Sequence, residues 1–220
     1  MPHKQNIIPY LDEISTASRL CNAVNTITFK DGKYYGTITD GIGFTRSLEE
    51  QGWLIKDKKI TMVGAGGAST AIMVQLALDG VKEIIVYNRT MRTEFQEIIN
   101  NTIIETGCTI TLKSLSDLES LKKDMHSSYL FINTTGVGME PMLERSVVPD
   151  ASYFKPDLKV ADIIYQPAVT KMLRLAKEAG CATMNGELML LYQGVESFKI
   201  WTGQEMPINE VKKVLGIEVK

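Results

Sequence analysis

Only two histidines, His3 and His126, occur in 220 residues, and the three cysteines, Cys21, Cys108 and Cys181, lie far apart. A histidine-based zinc site or a serine–histidine triad has almost no material to draw on, so no metal is expected. An odd number of scattered cysteines fits a reduced, cytoplasmic protein rather than a disulfide framework. No apolar run approaches the ~20 residues needed to cross a bilayer, and no membrane association is expected. The opening Met1-Pro2-His3-Lys4-Gln5-Asn6 leads into no apolar segment of the signal-peptide kind. Charge of neither sign dominates: 24 Lys and Arg against 26 Asp and Glu give a net charge of −2. There is no basic stripe of the kind that binds nucleic acid. Repeats and low-complexity segments are missing too. With 44% hydrophobic residues the chain should build a globular core, as one large domain or two small ones.

What is present is a compact nucleotide-binding signature. Residues 59–63 read as a buried strand, and Gly64-Ala65-Gly66-Gly67-Ala68-Ser69 follows without a spacer. Residues 70–78 have helical periodicity and stop at Asp79-Gly80, and residues 81–87 supply the next strand. Strand, glycine turn, helix and strand in that order make the first βαβ unit of a dinucleotide-binding sheet. Gly64 and Gly66 let the backbone turn tightly and approach a pyrophosphate, whose charge rests on amides at the helix N-terminus. Ser69 takes the third fingerprint position and is small enough for close helix–strand packing. Glycine runs are also ordinary turns; the flanking strand and helix are what favour a cofactor site.

The residues after the second strand bear on which cofactor it is. In NAD-binding folds an Asp or Glu there holds the ribose hydroxyls. This chain has Asn88-Arg89-Thr90-Met91-Arg92, with no acid before Glu94. An acid would repel a 2′-phosphate, whereas Arg89 can grip one through a forked, charge-assisted contact and Thr90 can add a hydroxyl. Plain solvation of Arg89 and Arg92 is the bland alternative. NADP is favoured and NAD stays open.

Along the rest of the chain, residues 6–17 read as a loop entering a short helix, and residues 23–29 and 33–39 as two β segments joined by Lys30-Asp31-Gly32. Asp40-Gly41-Ile42-Gly43 reads as a turn opening a helix over 44–51 that Gly52 ends. Strands are expected at 109–112, 128–133, 160–164 and 181–184, and helices at 117–124, 170–178, 187–201 and 208–215. Alternation of strands and helices argues for an α/β protein with a mostly parallel, doubly wound sheet of Rossmann type.

Several segments stand out together over nearly the whole chain: Met1-Pro2-His3-Lys4, Asn22-Ala23-Val24-Asn25-Thr26, Thr39-Asp40-Gly41-Ile42-Gly43-Phe44, the Gly64–Ser69 loop and Asn88-Arg89-Thr90. Asn133 to Met139, Asp162-Ile163-Ile164-Tyr165-Gln166-Pro167 and the stretch 186–193 complete the series. In this order they resemble the shikimate dehydrogenase family. The run Thr135-Gly136-Val137-Gly138-Met139 and Trp201-Thr202-Gly203 look closest to the quinate/shikimate dehydrogenase branch. The resemblance implies NADP-dependent, reversible reduction of 3-dehydroshikimate to shikimate, with quinate left open as a second substrate and a homodimer left open as the assembly.

The same resemblance implies roles for single residues. Lys4 is expected to be the proton donor at the ketone oxygen, with Asp40 beside it holding the ammonium and a substrate hydroxyl. A lysine this near a terminus is ordinarily a solvated charge, and an Asp before Gly is ordinarily a turn residue. Asn25, Tyr165 and Gln193 are expected to touch substrate. Cofactor contacts are expected from Gly64, Ala65, Gly66, Gly67, Ala68, Asn88, Arg89, Thr90, Thr135, Val137 and Gly186. Residues 1–40 and 186–220 should form the substrate domain and 41–185 the NADP-binding domain. Family members carry several dozen residues ahead of the lysine motif, including a Ser-x-Ser segment that binds the substrate carboxylate. The substrate domain is therefore expected to be truncated here, and a catalytically impaired nucleotide-binding remnant is the alternative reading. Ile38 stands where the family usually has Asn, an apolar group beside Asp40.

Overall fold

The computed structural model describes residues 3–217, so Met1 and Pro2 of the lysine motif and the last three residues lie outside the described residues. A short helix α1 (His3–Asn6) and a 3₁₀ turn (Ile8–Tyr10) lead into β1 (Glu13–Ile14) and α2 (Thr16–Cys21). The Ser15 hydroxyl starts α2 by accepting from the Ser18 amide, and left-handed Asn22 ends it. The expected hairpin follows as β2 (Thr26–Lys30) and β3 (Lys33–Thr37), turned through Asp31 and Gly32, both at positive φ. β1 pairs parallel to β3, giving a three-stranded sheet of order β1-β3-β2. A strand of two residues carries no readable pattern, which is why residues 6–17 look like a loop until β3 is there to pair with them.

Helix α3 (Asp40–Glu50) corrects one expectation: residues 40–43 are not a turn ahead of the helix but its first turn. The two glycines serve packing. A Cβ on Gly41 would lie 2.5 Å from the Ala71 carbonyl oxygen, and one on Gly43 would lie 2.6 Å from the Gln193 nitrogen.

Strand β4 (Lys59–Val63), helix α4 (Gly67–Leu78) and β5 (Glu83–Asn88) form the expected βαβ unit. Helix α5 (Thr93–Thr106), which the sequence pattern did not bring out, runs to a left-handed Gly107 and into β6 (Thr109–Ser114). Then come α6 (Leu118–Ser127), β7 (Leu130–Asn133), β8 (Lys159–Asp162), α7 (Lys171–Glu178) and β9 (Ala182–Met184). The six strands are all parallel in the order β6-β5-β4-β7-β8-β9. That is the doubly wound dinucleotide-binding order, with the chain reversing direction across the sheet between β4 and β7. Both faces are covered, as parallel sheets require. Ile60, Met62, Ile84, Val86, Leu130 and Ile132 face one core, with α4; Val63, Ile85, Tyr87, Phe131 and Val160 face the other, with α6 and α7. α4 lies between the sheet and the helices α2, α3 and α5. Its Ala71, Ile72, Met73, Val74, Leu76 and Ala77 are all buried, as befits a helix apolar around its whole circumference.

The chain ends in α8 (Glu187–Thr202) and α9 (Ile208–Leu215). α8 crosses back over α3, where Arg46 pairs with Glu196. Buried Lys212 and the Tyr192 hydroxyl both bond Glu50, and Trp201 Nε1 donates to the Ile27 carbonyl at 3.0 Å. A Gly43→Ala substitution should overpack the α3–α8 contact and lower stability by about 1–3 kcal/mol. Gly194→Ala on α8, where a Cβ meets open space, should instead raise it by about 0.5–1 kcal/mol. Urea unfolding of the two variants checks the pair.

Candidate active site

Three segments place a charged cluster between the two sheets. The Lys4 carbonyl accepts from the Val24 amide at 2.8 Å, which ties α1 to the entry of β2. The Lys4 ammonium then reaches both oxygens of Asp40, at 3.0 and 2.8 Å. Asn25 Nδ2 donates to Asp40 Oδ2 at 2.8 Å and to Thr39 Oγ1 at 3.1 Å, so both its hydrogens are engaged within the protein. The Lys4 and Asp40 side chains are 27% and 14% exposed, so the pair is partly shielded yet open on one side. Beneath it sits Cys21, whose thiol burial pushes up to about 12; the Asp40 charge adds to this and Lys4 opposes it. The thiol stays neutral and leaves the ammonium to Asp40. Ile38, 4% exposed, belongs to the same core as Cys21 and Leu20.

The glycine loop forms the opposite wall. Gly64 needs both its positive φ of 122° and its missing side chain, since a Cβ would lie 2.4 Å from Thr134 Oγ1. Ser69, buried at the third fingerprint position, donates its hydroxyl to the Gly64 carbonyl at 2.5 Å and so closes the loop. At Gly66 and Gly67 a Cβ would meet nothing within 4 Å. Gly66 is the N-cap of α4, and no side chain caps that helix. Open space before an uncapped helix N-terminus suits a pyrophosphate.

One cleft of about 950 Å³ has Lys4, Asp40, Cys21 and Ile38 on one side and Ala65, Gly66, Gly67, Ala68 and Arg92 on the other. Arg89 and Thr90 are exposed just past β5, and the Asn88 side chain folds onto the Thr90 carbonyl at 2.6 Å. A neighbouring hollow of about 600 Å³ is lined by Thr134, Thr135, Gly136, Met139 and residues 163–167, Tyr165 among them. Val137 belongs to the same loop, its amide donating to Thr135 Oγ1. Gly186 lies against Ile163, whose carbonyl oxygen would be 2.0 Å from a Cβ, so its glycine is needed by the backbone that crosses it. Gln193 is half-buried on α8 beside Gly43 and lines neither hollow.

Cys21, Ile38, Arg92 and Glu94 line the cleft without having been singled out as contact residues. Arg92 and Glu94 belong to the start of α5, and the i, i+4 spacing of apolar Phe95 and Ile99 is the sequence signal for that helix.

Cleft and sheet define a class: the oxidoreductases that bind a nicotinamide dinucleotide at the reversal point of a parallel sheet. Comparison with known proteins narrows it. Residues 47–165 match the shikimate/quinate 5-dehydrogenase family, and residues 186–215 match the shikimate 5′-dehydrogenase C-terminal domain. The chain is 45% identical over 219 residues to the shikimate dehydrogenase (NADP(+)) of Listeria innocua, covering 98% of this chain and 75% of the relative. Its structure is similar to the Listeria monocytogenes shikimate 5-dehydrogenase in complex with shikimate and NAD, with a TM-score of 0.94 at 45% identity, covering 98% of this chain and 75% of that one. A second solved shikimate dehydrogenase, in complex with NADP+, matches with a TM-score of 0.85 at 37% identity, covering 100% and 75% of the two chains. The chain belongs to the shikimate/quinate dehydrogenase family.

Beneath the second hollow lies Asp162, fully buried at the end of β8. Asn133 Nδ2 and the Ile164 amide donate to its Oδ1 at 3.0 and 3.1 Å, and Thr170 Oγ1 donates to its Oδ2 at 2.8 Å. Asn133 Oδ1 in turn accepts from the Thr135 amide, so one buried carboxyl organises both loops of that hollow. Burial pushes this carboxyl from 3.8 up to about 6, against the pull of the bonds from Thr170, Ile164 and Asn133. Between those values the folded chain holds more protons than the unfolded one, so this group's contribution to stability falls as pH rises through the window. Asp162→Asn has no such proton to lose. The melting temperature of the variant relative to the unaltered protein should therefore be higher at pH 7 than at pH 5, which thermal melts across that range will show.

Proposed function

We propose that the chain reduces 3-dehydroshikimate to shikimate reversibly with NADP, and that the chemistry centres on Lys4 and Asp40. The observation that carries this is the shared cleft: an ammonium held by a carboxylate faces a glycine loop that leaves room for a pyrophosphate. Lys4 Nζ gives a proton to the carbonyl oxygen on reduction and takes it back on oxidation. Asp40 holds that nitrogen in place and offers its remaining acceptor capacity to a substrate hydroxyl. Asn25, Tyr165 and Gln193 complete the substrate contacts; Asn25 reaches a hydroxyl by giving up one of its two protein partners. Bound NADP would supply the hydride chemistry at the substrate carbon.

The residues that would hold the dinucleotide are Gly64 to Ala68 at the pyrophosphate, Asn88, Arg89 and Thr90 at the 2′-phosphate, and Thr135, Val137 and Gly186 towards the nicotinamide. Residues 1–40 and 186–220 furnish the substrate side and 41–185 the cofactor side. Relatives named as dehydrogenases along 98% of this chain do not favour an inactive nucleotide-binding remnant. Three unpaired, buried cysteines support a reducing, cytoplasmic setting. Among the described residues no helix is long and apolar enough to cross a membrane. A homodimer is the assembly to look for by analytical ultracentrifugation.

Steady-state assay of Lys4→Ala with shikimate and quinate should show kcat lowered by about 10²–10⁴-fold, with the dissociation constant for NADP unchanged. Equal loss of both would remove Lys4 from the chemistry. Arg89→Ala should weaken NADP by about tenfold or more, as loss of a charge-assisted contact does, while leaving NAD where it was. A parent enzyme that prefers NAD would overturn the role given to Arg89.

A further inference from the structure

We infer that Ser197, on the late part of α8, is a positioning residue for the Lys4–Asn25–Asp40 cluster, acting through the hydroxyls of Thr26 and Thr39 on the Asn25 carboxamide. This rests on the dehydrogenase function proposed above and adds a residue that no sequence motif brought forward.

A count of hydrogens assigns the roles. Ser197 Oγ donates to the Gln193 carbonyl one helical turn back, at 3.0 Å. Its single hydrogen is thereby used, so it acts as acceptor towards Thr26 Oγ1 at 2.8 Å and Thr39 Oγ1 at 3.4 Å. Each threonine has one hydroxyl hydrogen, and each also lies within reach of Asn25 Oδ1, at 3.0 and 3.3 Å. Whichever threonine turns to Ser197, the other is free to serve Asn25, and the Thr39 amide donates to the same Oδ1 at 3.1 Å. The carboxamide oxygen is therefore ringed by donors, and its nitrogen is left facing Asp40 Oδ2.

The flipped amide is excluded on electrostatic grounds. It would set Oδ1 2.8 Å from a carboxylate oxygen, and set NH₂ against the Thr39 N–H. Thr26 and Thr39 are buried, 1% and 0% exposed, so water is not on hand to replace a missing hydroxyl. Asn25 Oδ1 has two lone pairs but three donors within reach, so Ser197, by accepting one threonine hydrogen, leaves the carboxamide oxygen the two donors it can take and with them the orientation that holds Asp40 on Lys4. α8 supplies Ser197 to that ring from 171 residues beyond Thr26. The same helix carries Gln193, whose backbone carbonyl takes the Ser197 hydrogen.

The test compares Ser197→Ala and Thr26→Val, which lose a hydroxyl, with Thr26→Ser, which keeps the hydroxyl and loses only a methyl group. For Ser197→Ala and Thr26→Val, kcat/KM for shikimate should fall by about tenfold, the scale set by one lost hydrogen bond, with NADP affinity unchanged. Thr26→Ser should keep the parent kcat/KM even where its melting temperature drops. A merely structural role predicts the reverse order, with Thr26→Ser the more impaired, and that result would overturn the inference. An activity-free readout separates this from the proposed function: the side-chain ¹⁵N–¹H signals of Asn25, assigned by selective labelling. Shifted signals in Ser197→Ala and Thr26→Val but not in Thr26→Ser support the positioning role, and unmoved signals in Ser197→Ala overturn it. A parent protein that oxidises neither shikimate nor quinate while those shifts occur would sink the dehydrogenase assignment alone.

Discussion

Three backbones meet at the first turn of α3, and the cleft depends on how closely they approach. Gly41 lies against the Ala71 carbonyl of α4, and Gly43 lies against the Gln193 amide of α8. Packed interiors leave no slack at such points, so a single added carbon on either glycine would push two layers apart. Asp40, one residue ahead of this contact, is held at the seam between the small sheet and the large one. The direction in which its carboxylate points, and so the place where Lys4 comes to rest, follows from that packing.

The electrostatics of the seam are arranged around one partly shielded ion pair. A charge pair of this kind gains from lower local polarity only if its other polar neighbours are satisfied as well. Asn25 meets that need by donating to Asp40, the hydroxyls of Thr26 and Thr39 lie within reach of its Oδ1, and Ser197 bonds those hydroxyls. Cys21 and Ile38 provide the apolar floor, and burial keeps the Cys21 thiol from ionising beside the carboxylate. Ile38 lies in the same core under the cleft as Leu20 and Cys21.

The second hollow follows a different design. Its two loops leave the ends of adjacent strands β7 and β8, and a single buried carboxyl, Asp162, is bonded to both. Such a group is costly to keep ionised, and hydrogen bonds from Asn133, Ile164 and Thr170 offset part of that cost. The gain is geometric: the Asn133–Asp162 bond spans 29 residues and brings Thr135 and Tyr165 to the same hollow.

Local chemistry made much of this legible beforehand. The β4–α4–β5 unit is specified by neighbours: an apolar strand, a glycine turn that only glycine's backbone allows, and a helix that follows at once. The alternation that predicts a parallel sheet is equally local, and the helix over 208–215 and the strand over 59–63 match residue for residue. The first turn of α3 was misread because glycine has two uses, a turn or a close contact, and only the partner backbone tells them apart. Helix α5 is hard to read from sequence because only Phe95 and Ile99 form its buried apolar stripe, while Thr102 takes the next inward position and Ile104 is exposed. By itself the amino-acid order determined the dinucleotide-binding sheet, the glycine cradle and the residue types able to carry the chemistry. Tertiary structure alone decided that Ser197 meets Thr26 across 171 residues, and it set the geometry in which Lys4 reaches Asp40 across 36. Contacts at that range are set by the packing of helices and sheets already formed, and no window of sequence contains both partners.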